Sequence, residues 1–436
     1  MVSGAEWGSD MTETNEPRAR LAGETVICMA PDPWEGLWRN RHQIMTRLAR
    51  HNTVLYVEPR LYYPETLRRL RTGRLKPADF RKPLARHYVD GLWIYHDPYY
   101  APMSGRRTGG PLTAALRRRA MLRTLQQLGA SRPPILWLVR PYFADVIGQY
   151  GEQLVVYHIT DEYSAYASVT DRAAVRQAEE AMLRRADLVI VSAPALLESK
   201  RPFNPHTYLV PNAVDFEGFQ RAMAECRTQI ADRAVDDGNP KSKIQNPTPL
   251  RSGDYSPKSV RVGYSGALNE KINFNLLAHV ARARPDWELV LIGQLDLYSQ
   301  PDKANVLRDL PNAQWAGRLP VTALPSAIAS LDVCLLPYER NEWTANIDSL
   351  KLYEYLACGR PVVSTDVPTA RGYGDLVRLA DTPDDFVAQI AAAIAETDPS
   401  LSERRKAIAA ANTWEHRVAR IEELLTAALK RKATGG

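Results

Sequence analysis

Short apolar runs rich in Val, Ile and Leu alternate along this chain with segments long enough to form helices. Runs of this kind are typical of buried strands, and the intervening helices supply the crossovers that parallel strands need. The sequence therefore predicts an α/β protein built on parallel sheets. The predicted strands are Thr25–Ala30, Thr53–Glu58, Leu92–His96, Ile135–Val139, Leu154–Ile159, Leu188–Ser192 and Tyr208–Pro211, followed by Val260–Tyr264, Glu288–Ile292, Ala313–Ala316, Val333–Pro337, Pro361–Thr365 and Val377–Ala380.

The alternation of strands and helices is interrupted once, and this interruption divides the chain into two parts. The 436 residues are enough for two or three domains at roughly 150 residues each. Between the two strand series lies a polar stretch rich in the turn-forming residues Asp, Asn, Gly and Pro. We therefore expect a disordered N-terminal extension over 1–23, a first α/β domain over 24–216, a polar linker over 217–257, a second α/β domain over 258–412 and a C-terminal helix over 413–436.

Composition excludes several classes of protein. With 45% apolar and 24% charged residues the chain matches a soluble globular protein. No apolar run approaches the ~18 residues of a membrane-spanning helix, and the first thirty residues lack the features of a signal peptide. The four cysteines are far apart and form no C-x-x-C pair, and the histidines form no H-E-x-x-H motif. These observations predict cytoplasmic residence and no metal site.

The positive charge is concentrated in one region. Residues 60–123 contain fifteen Lys and Arg against four Asp and Glu, so they carry +11 of a chain whose total is +6. Such a block suits an anionic substrate, a membrane surface or nucleic acid, although a plain solvated face is an equal alternative. It lacks a nucleic-acid recognition module, so we expect no nucleic acid. Leucines interleave with arginines over 112–125, which predicts peripheral association with an anionic membrane.

The common phosphate and nucleophile motifs G-x-G-x-x-G, G-x-x-x-x-G-K-[ST] and G-x-S-x-G are absent. A short helix between two strands takes their place as the candidate site. Asp348 is a suitable N-cap for it, and Lys351 and Glu354, three residues apart, share one face. A helix N-terminus beside a lysine suits a phosphate, and a carboxylate one turn further suits ribose hydroxyls. The alternative is a solvent-exposed Lys–Glu pair without a ligand.

This stretch resembles the nucleotide-sugar-binding segment of retaining family-4 GT-B glycosyltransferases, the glycosyl transferases group 1 type. In that family a Glu-x7-Glu motif precedes A-x-G-x-P-V-V, and residues 357–363 read A-C-G-R-P-V-V. Glu354 matches the second Glu, whereas Asn346 stands in place of the first. Asp348 and Ser349 replace the Asn-Pro found in a bacterial subgroup.

Other segments resemble the same family in the same order along the chain. They are Val210–Phe216, Val262–Leu268, Leu291–Gly293, Trp315–Leu319 and the start of a helix at Thr413-Trp414. The resemblance implies two doubly wound Rossmann-like domains that face each other across a cleft. The first would bind the acceptor, the second would bind the nucleotide sugar, and the last helix would cross back to the first.

The resemblance also implies site residues. His158, at the end of a strand, matches the family's active-site histidine, and Asp161 is placed to bind a sugar hydroxyl. With Asn346 they form the predicted catalytic set. The predicted nucleotide-sugar-binding residues are Gly266, Lys271, Gly293, Arg318, Asp348, Lys351 and Glu354. The loop after the first strand adds Trp34 and Arg41, which suit a sugar or phosphate acceptor or, alternatively, are a packed tryptophan and a solvent-facing arginine.

These residues imply a hexosyl transfer with retention, from a UDP-sugar or GDP-sugar to a sugar, lipid-linked or polymer acceptor of the cell envelope. The leaving diphosphate would be stabilised by lysine and a helix terminus, so no cofactor or catalytic metal is expected. Ala267 occupies the position of a diphosphate-binding arginine of the family. A nucleotide-sugar epimerase, which shares the GT-B fold, is one alternative. Because of Ala267 and Asn346, a non-catalytic subunit of a polysaccharide assembly complex is another.

Overall fold

The computed structural model describes residues 21–103, 110–235 and 259–434, the side chains of 226–235 excepted. Its strands form one sheet of eight and one of six. All thirteen predicted strands are present, and one further strand is added. The strands are β1 (Thr25–Met29), β2 (Thr53–Val57), β3 (Ala85–Val89), β4 (Leu92–Tyr95), β5 (Ile135–Leu138), β6 (Leu154–Ile159), β7 (Leu188–Val191), β8 (Thr207–Leu209), β9 (Val260–Ser265), β10 (Trp287–Ile292), β11 (Ala313–Gly317), β12 (Val333–Leu336), β13 (Val362–Thr365) and β14 (Val377–Ala380).

Helices connect these strands, as the predicted crossovers require. They are α1 (Asn40–Leu48), α2 (Tyr63–Arg71), α3 (Gly110–Gln127), α4 (Arg172–Arg185), α5 (Pro194–Lys200), α6 (Phe216–Val235), α7 (Phe274–Ala283), α8 (Leu324–Ala329), α9 (Glu342–Ala345), α10 (Leu350–Ala357), α11 (Pro383–Ile394), α12 (Pro399–Ala411) and α13 (Trp414–Thr434). Short 3₁₀ turns lie at Pro77–Arg81, Pro141–Val146, Tyr163–Ala165, Lys303–Leu307, Val321–Ala323, Pro368–Ala370 and Gly374–Leu376.

Both sheets are wound outward in two directions from a central strand. The first has the order β3-β4-β2-β1-β5-β6-β7-β8, and the second has the order β11-β10-β9-β12-β13-β14. All neighbouring strands are parallel except β3 and β4. The winding direction reverses between β1 and β5 and between β9 and β12. In open α/β sheets ligands bind beyond the carboxyl ends of the strands at such a reversal.

The strand that the sequence analysis missed is β3, at the edge of the first sheet. Most of its side chains are exposed, and it carries Arg86 and His87, so it lacks the apolar run used to recognise the other strands. It pairs with β4 through the turn Asp90-Gly91. Gly91 has a φ of +76°, and a Cβ there would lie 2.0 Å from the Ala49 carbonyl oxygen. An Asp-Gly turn is a known hairpin signal, and it was the available indication of this strand.

The chain divides into two compact units, one for each sheet. The first-sheet unit contains the described residues up to Ser164, then Asp171–Pro211 and the chain from Trp414 onward. The second-sheet unit contains Ala165–Thr170 and Asn212–Thr413. Helix α6 packs on α8 and α10, so the first half of the predicted linker is a helix of the second-sheet unit. The rest of that linker, and most of the predicted N-terminal extension, lie outside the described residues.

The long helical pattern at the end of the chain is broken into α12 and α13. Asn412 ends α12, and its side-chain amide donates to the Ile408 carbonyl at 2.8 Å. Its own carbonyl accepts from the Val214 amide at 3.1 Å, and Thr413 bridges to Val214. Helix α13 therefore begins at Trp414, and it packs on α1, β6 and β7 within the first-sheet unit.

Each sheet is the centre of a hydrophobic core. Strands β1, β5, β6 and β7 are buried at every position, as are β12 and β13. Strands that are buried on both faces read as continuous apolar runs, which is why the sequence pattern located them.

Candidate active site

The winding reversal of the second sheet brings three predicted residues into contact. Gly266 follows β9 at once, and its backbone amide donates to the Ile292 carbonyl at 2.8 Å. A Cβ on Gly266 would lie 2.9 Å from Cε of Lys351, on α10. A Cβ on Gly293, after β10, would lie 1.8 Å from the carbonyl oxygen of Gly266. The two glycines therefore allow a close backbone approach directly beside the lysine.

Buried tyrosines hold this arrangement, and the sequence analysis did not identify them. The Tyr355 hydroxyl on α10 accepts from the Ser265 amide at 2.8 Å. The Tyr338 hydroxyl, after β12, lies 2.9 Å from Oγ of Ser349 at the start of α10. Burial raises the pKa of Tyr338 to about 12 and that of Tyr355 well above its ordinary value. Both phenols are therefore neutral and fix α10 to the ends of β9 and β12.

Lys351 and Glu354 are paired with each other. Nζ of Lys351 lies 2.9 Å from Oε2 of Glu354, and the two side chains are 21% and 17% exposed. The pair is thus half-buried against the Gly266 loop rather than solvated on a free helix face. An anion placed at Lys351 would compete with Glu354 for the ammonium group, and the displaced carboxylate would then be available to hydroxyl donors.

Lys271 and Arg318 also follow strands of this sheet. Lys271 lies in the loop after β9, with Nζ 5.3 Å from the centre of the Tyr338 ring. The same loop pairs with the chain after β12 through a bridge between Ile272 and Tyr338. Arg318 is exposed just after β11. The adjacent Gly317 carbonyl accepts from the Gly293 amide at 2.8 Å, which joins the loops after β10 and β11.

Asp348 does not cap α10, contrary to the prediction. The N-cap residue is Ser349, without a side-chain cap. One carboxylate oxygen of Asp348 accepts from the Asn212 amide at 2.5 Å, and its carbonyl accepts from the Asn212 side chain at 2.7 Å. Asp348 thus anchors Asn212, in the Val210–Phe216 segment, through two hydrogen bonds.

Asn346 has a local structural partner. It is the C-cap of the four-residue helix α9, and its amide group donates to the Glu342 carbonyl at 2.7 Å. The residue is half-buried. The family pattern has a glutamate at this position. The asparagine side chain is shorter than that of glutamate and carries no charge, and its amide oxygen can still accept a hydrogen bond.

On the first sheet, the structure brings together Trp34, Arg41 and His158. His158 is 2% exposed, and its ring lies 5.5 Å from that of Trp137 on the neighbouring strand β5. Burial, and then the positive charge of Arg41, lower the pKa of His158 to about 3, so its imidazole is neutral. Trp34 is buried and in ring contact with His42 and Tyr56.

Arg41 is buried and pairs with Asp32, so the alternative of a solvent-facing arginine does not hold. Nε of Arg39 lies 3.3 Å from the same carboxylate. Burial alone would raise the pKa of Asp32, but Arg41, Arg39 and Arg140 together hold it below its ordinary value. Asp32 is therefore ionised at the winding reversal of the first sheet.

Asp161 lies half-buried in the loop after β6, where its carboxylate accepts from the Thr160 hydroxyl at 3.2 Å. The next residue, Glu162, joins a buried cluster that the sequence analysis did not find. Lys200 on α5 forms ion pairs with Glu162 and with Glu179 on α4. No spacing in the sequence points to this cluster, because its three members lie on separate elements.

The described residues also bear on the expectations about a metal site and about the membrane. No group of three or more His, Cys, Asp and Glu side chains among them is arranged to hold a metal ion. None of the described helices combines the length and the apolar character that crossing a membrane requires. The expectations that no metal and no cofactor take part stay predictions.

Comparison with known proteins identifies the class. Residues 259–396 match the family model of glycosyl transferases group 1. A Bacillus subtilis protein, TuaH, named as a teichuronic acid biosynthesis glycosyltransferase, is 24% identical over 295 residues, which are 64% of this chain and 68% of that protein. A GDP-mannose-dependent alpha-mannosyltransferase of Mycolicibacterium smegmatis is 32% identical over 163 residues, which are 35% of this chain and 39% of that protein.

Solved structures share the fold over almost the whole chain. Sucrose-phosphate synthase from Thermosynechococcus elongatus superposes with a TM-score of 0.65 at 16% identity, covering 94% of this chain and all of that one. Anabaena HepE in complex with UDP and glucose gives a TM-score of 0.60 at 13% identity, covering 93% of this chain and all of that one. The chain therefore has the predicted GT-B fold. It is a glycosyltransferase, and its second-sheet unit matches glycosyl transferases group 1.

Proposed function

We propose that this glycosyltransferase takes its sugar from a UDP-sugar or GDP-sugar bound at the second sheet and transfers it, with retention, to an acceptor bound at the first sheet. The cell-envelope polysaccharide or glycolipid is the proposed product class. The proposal is carried by Lys351, which lies beside Gly266 and is paired with Glu354. The names of the relatives support it, since they include UDP with glucose, GDP-mannose and teichuronic acid biosynthesis.

The chemistry follows from charge and geometry. Departure of the nucleoside diphosphate leaves positive charge at the anomeric carbon and negative charge on the leaving phosphate. Lys351, beside the backbone of Gly266, would stabilise the phosphate, with Lys271 as the second cation of the same sheet edge. Glu354, once released from Lys351, would accept hydrogen bonds from the ribose. The neutral imidazole of His158 and the side chain of Asp161 are proposed to position sugar hydroxyls.

Binding of a panel of UDP-, GDP-, ADP- and dTDP-sugars, measured by thermal shift and calorimetry, tests the donor assignment. We expect Lys351→Ala and Glu354→Ala each to weaken binding of the preferred nucleotide sugar at least tenfold, about 1.4 kcal/mol, and to lower turnover by orders of magnitude.

Glu403→Ala is the matched control for the donor test. Glu403 forms an i,i+3 pair with Lys406 on α12, with Nζ and Oε1 2.8 Å apart, and it should leave binding unchanged. Equal affinity in all three variants would refute the donor site. Product analysis of the anomeric configuration separately tests retention.

Membrane association is proposed for a different surface from the one expected. Leu125 is buried, and Leu116 and Leu122 are half-buried, so the leucines of α3 largely face the protein. Leu112, at the start of α3, is the exception, and large apolar side chains are also exposed at Tyr62, Tyr63 and Leu70, at and beside α2. Helix α2 also carries Arg68, Arg69 and Arg71, and a helix that combines aromatic and basic groups is suited to the surface of an anionic membrane.

Flotation with vesicles tests the membrane proposal. We expect binding to vesicles that contain anionic lipid at low salt, weaker binding at high salt and little binding to neutral vesicles. Replacement of Tyr63 and Leu70 by Ser should reduce the bound fraction several-fold. Tyr298→Ser, at an exposed tyrosine of the second-sheet unit, is the control. Binding that ignores lipid charge, or that the double variant retains in full, would contradict the proposal.

A further inference from the structure

One face of the first sheet carries a row of polar and aromatic side chains at its winding reversal. Cys28 of β1 is in register with Tyr56 of β2 and with Trp137 of β5. Trp137 is in register with Val156 of β6, so His158, two residues further, points to the same face. The N-terminal end of α1 covers this face with Arg41 and His42, whose charge or ring contacts reach the row.

Three buried nitrogen atoms on this face have no hydrogen-bond partner among the described residues. They are Nε1 of Trp34, Nε of Arg41 and Nε1 of Trp137. Indole and guanidinium nitrogens can only donate, so all three atoms are donors. We call Trp34, Arg41 and Trp137 the donor cluster.

The donor cluster is almost completely excluded from solvent, since each of its side chains is at most 3% exposed. A buried donor without an acceptor costs about 1–3 kcal/mol, and native proteins keep few of them unless a ligand or water satisfies them. Three such donors on one face, with Nδ1 of His158 on the same face, suit a ligand rich in acceptor oxygens.

The charged side chains around the donor cluster narrow the chemical class of this ligand further. Arg39, Arg41 and Arg140 act on this region, against the carboxylates of Asp32 and Glu58. The pKa of His42 is lowered to about 4 by burial and by Arg41, so this ring adds no positive charge at neutral pH. The net charge of these arginines and carboxylates is therefore positive. Asp32, a third exposed beside Arg41, marks the edge where an incoming oxyanion would exchange with a carboxylate.

We propose that the donor cluster binds an oxyanion of the acceptor, a phosphate or a carboxylate, and so selects anionic over neutral acceptors. The inference rests on the proposed assignment of the acceptor to the first sheet. The acceptor's oxyanion would take the place of the Asp32 carboxylate at Arg41 and accept from the indole N–H groups of Trp34 and Trp137. Its attacking hydroxyl would extend from the cluster toward the carboxyl ends of the strands.

Calorimetry on the full chain, with and without saturating UDP or GDP, tests the inference. The probes are inorganic phosphate, glucose 1-phosphate, glucuronate and glucose. We expect at least one oxyanion-bearing sugar to bind tenfold or more tightly than glucose. The preference between glucose 1-phosphate and glucuronate distinguishes a phosphate from a carboxylate acceptor. Arg41→Gln should abolish the preference, and Trp137→Phe, which removes one N–H and keeps an aromatic ring, should weaken it several-fold.

Arg50→Gln, at an exposed arginine just beyond the other end of α1, is the charge-matched control. It should leave the binding of all four probes unchanged. Equal binding of glucose and the anionic sugars, or anion binding that Trp137→Phe and Arg41→Gln both leave intact, would overturn the inference. If circular dichroism shows that Arg41→Gln is unfolded, the binding preference of Trp137→Phe alone tests the inference. Unchanged nucleotide affinity in Trp137→Phe separates this site from the donor site. If the protein binds the anionic sugars but no nucleotide, that result contradicts the proposed function and leaves this inference intact.

Discussion

At the scale of single residues, two glycines shape the loop at the proposed donor site. Gly266 has a φ of +151°, and a Cβ there would also lie 2.6 Å from the Tyr264 hydroxyl. Gly293 has a φ of +146° and lies against the backbone of Gly266. Side chains at either position are disfavoured by backbone conformation as well as by space, so neither residue can be exchanged without moving the loop beside Lys351.

Gly266→Ala is predicted to weaken nucleotide binding at least tenfold, because the added methyl group must displace Lys351 or Tyr264. Calorimetry with the preferred nucleotide measures the loss, and thermal unfolding shows how much of it is general destabilisation. Gly317→Ala is the control, since Gly317 also has a positive φ, +69°, but open space around it. Equal losses of affinity in the two variants would mean that backbone strain, rather than the contact with Lys351, is responsible.

At the scale of elements, a buried ionic cluster ties α4, α5 and the loop after β6 together. Nζ of Lys200 lies 2.7 Å from Oε2 of Glu179, whose other oxygen accepts from the Tyr157 hydroxyl at 2.9 Å. Burial alone would raise the pKa of Glu162, but hydrogen bonds from Lys200 and Ser164 outweigh burial and hold that pKa below its ordinary value. The cluster thereby positions the loop that carries Asp161.

Lys200→Met is predicted to lower the free energy of unfolding by about 3–5 kcal/mol, because it leaves two buried carboxylates without their cation. Denaturant unfolding monitored by circular dichroism measures the change. The triple replacement of Lys200, Glu162 and Glu179 by apolar residues of similar size should recover much of the loss. A loss below about 1 kcal/mol for Lys200→Met, the range of surface pairs, would show that the cluster contributes little.

At the scale of the whole molecule, buried neutral histidines make stability depend on pH. Burial lowers the pKa of His42 to about 4 and that of His158 to about 3, against 6.5 for a free side chain. Below pH 6.5 the unfolded chain therefore binds protons that the folded chain does not. The stability that these two groups contribute is complete above pH 6.5 and is lost as the pH falls toward 4.

His158→Gln is predicted to flatten this dependence. Between pH 6.5 and 4 the variant's free energy of unfolding should fall less steeply than that of the wild type, by roughly 1 kcal/mol per pH unit. Urea unfolding at half-unit pH intervals measures both slopes. His51→Gln, at an exposed histidine, should leave the slope unchanged. Parallel curves for the wild type and His158→Gln would mean that His158 is protonated equally in both states.

Much of the architecture was determined by the sequence alone. Thirteen of the fourteen strands in the described residues were predicted, most of them because strands buried on both faces are apolar along most of their length. The exception, β3, is an exposed edge strand whose partner stabilises it more than its own composition does. The class of enzyme also followed from sequence, because motifs such as residues 346–364 keep their order along the chain.

Only the tertiary structure decided what surrounds each candidate residue. It placed Lys351 against Gly266, 85 positions away along the chain, and turned Asp348 from a helix cap into the anchor of Asn212. It also buried Arg41, for which the sequence had left a solvent-facing position open as an alternative. The physical reason is that strand formation follows from local burial patterns, whereas a side chain's partners depend on which strand ends are adjacent. The winding reversals of the two sheets determine that adjacency, and local sequence carries no direct record of it.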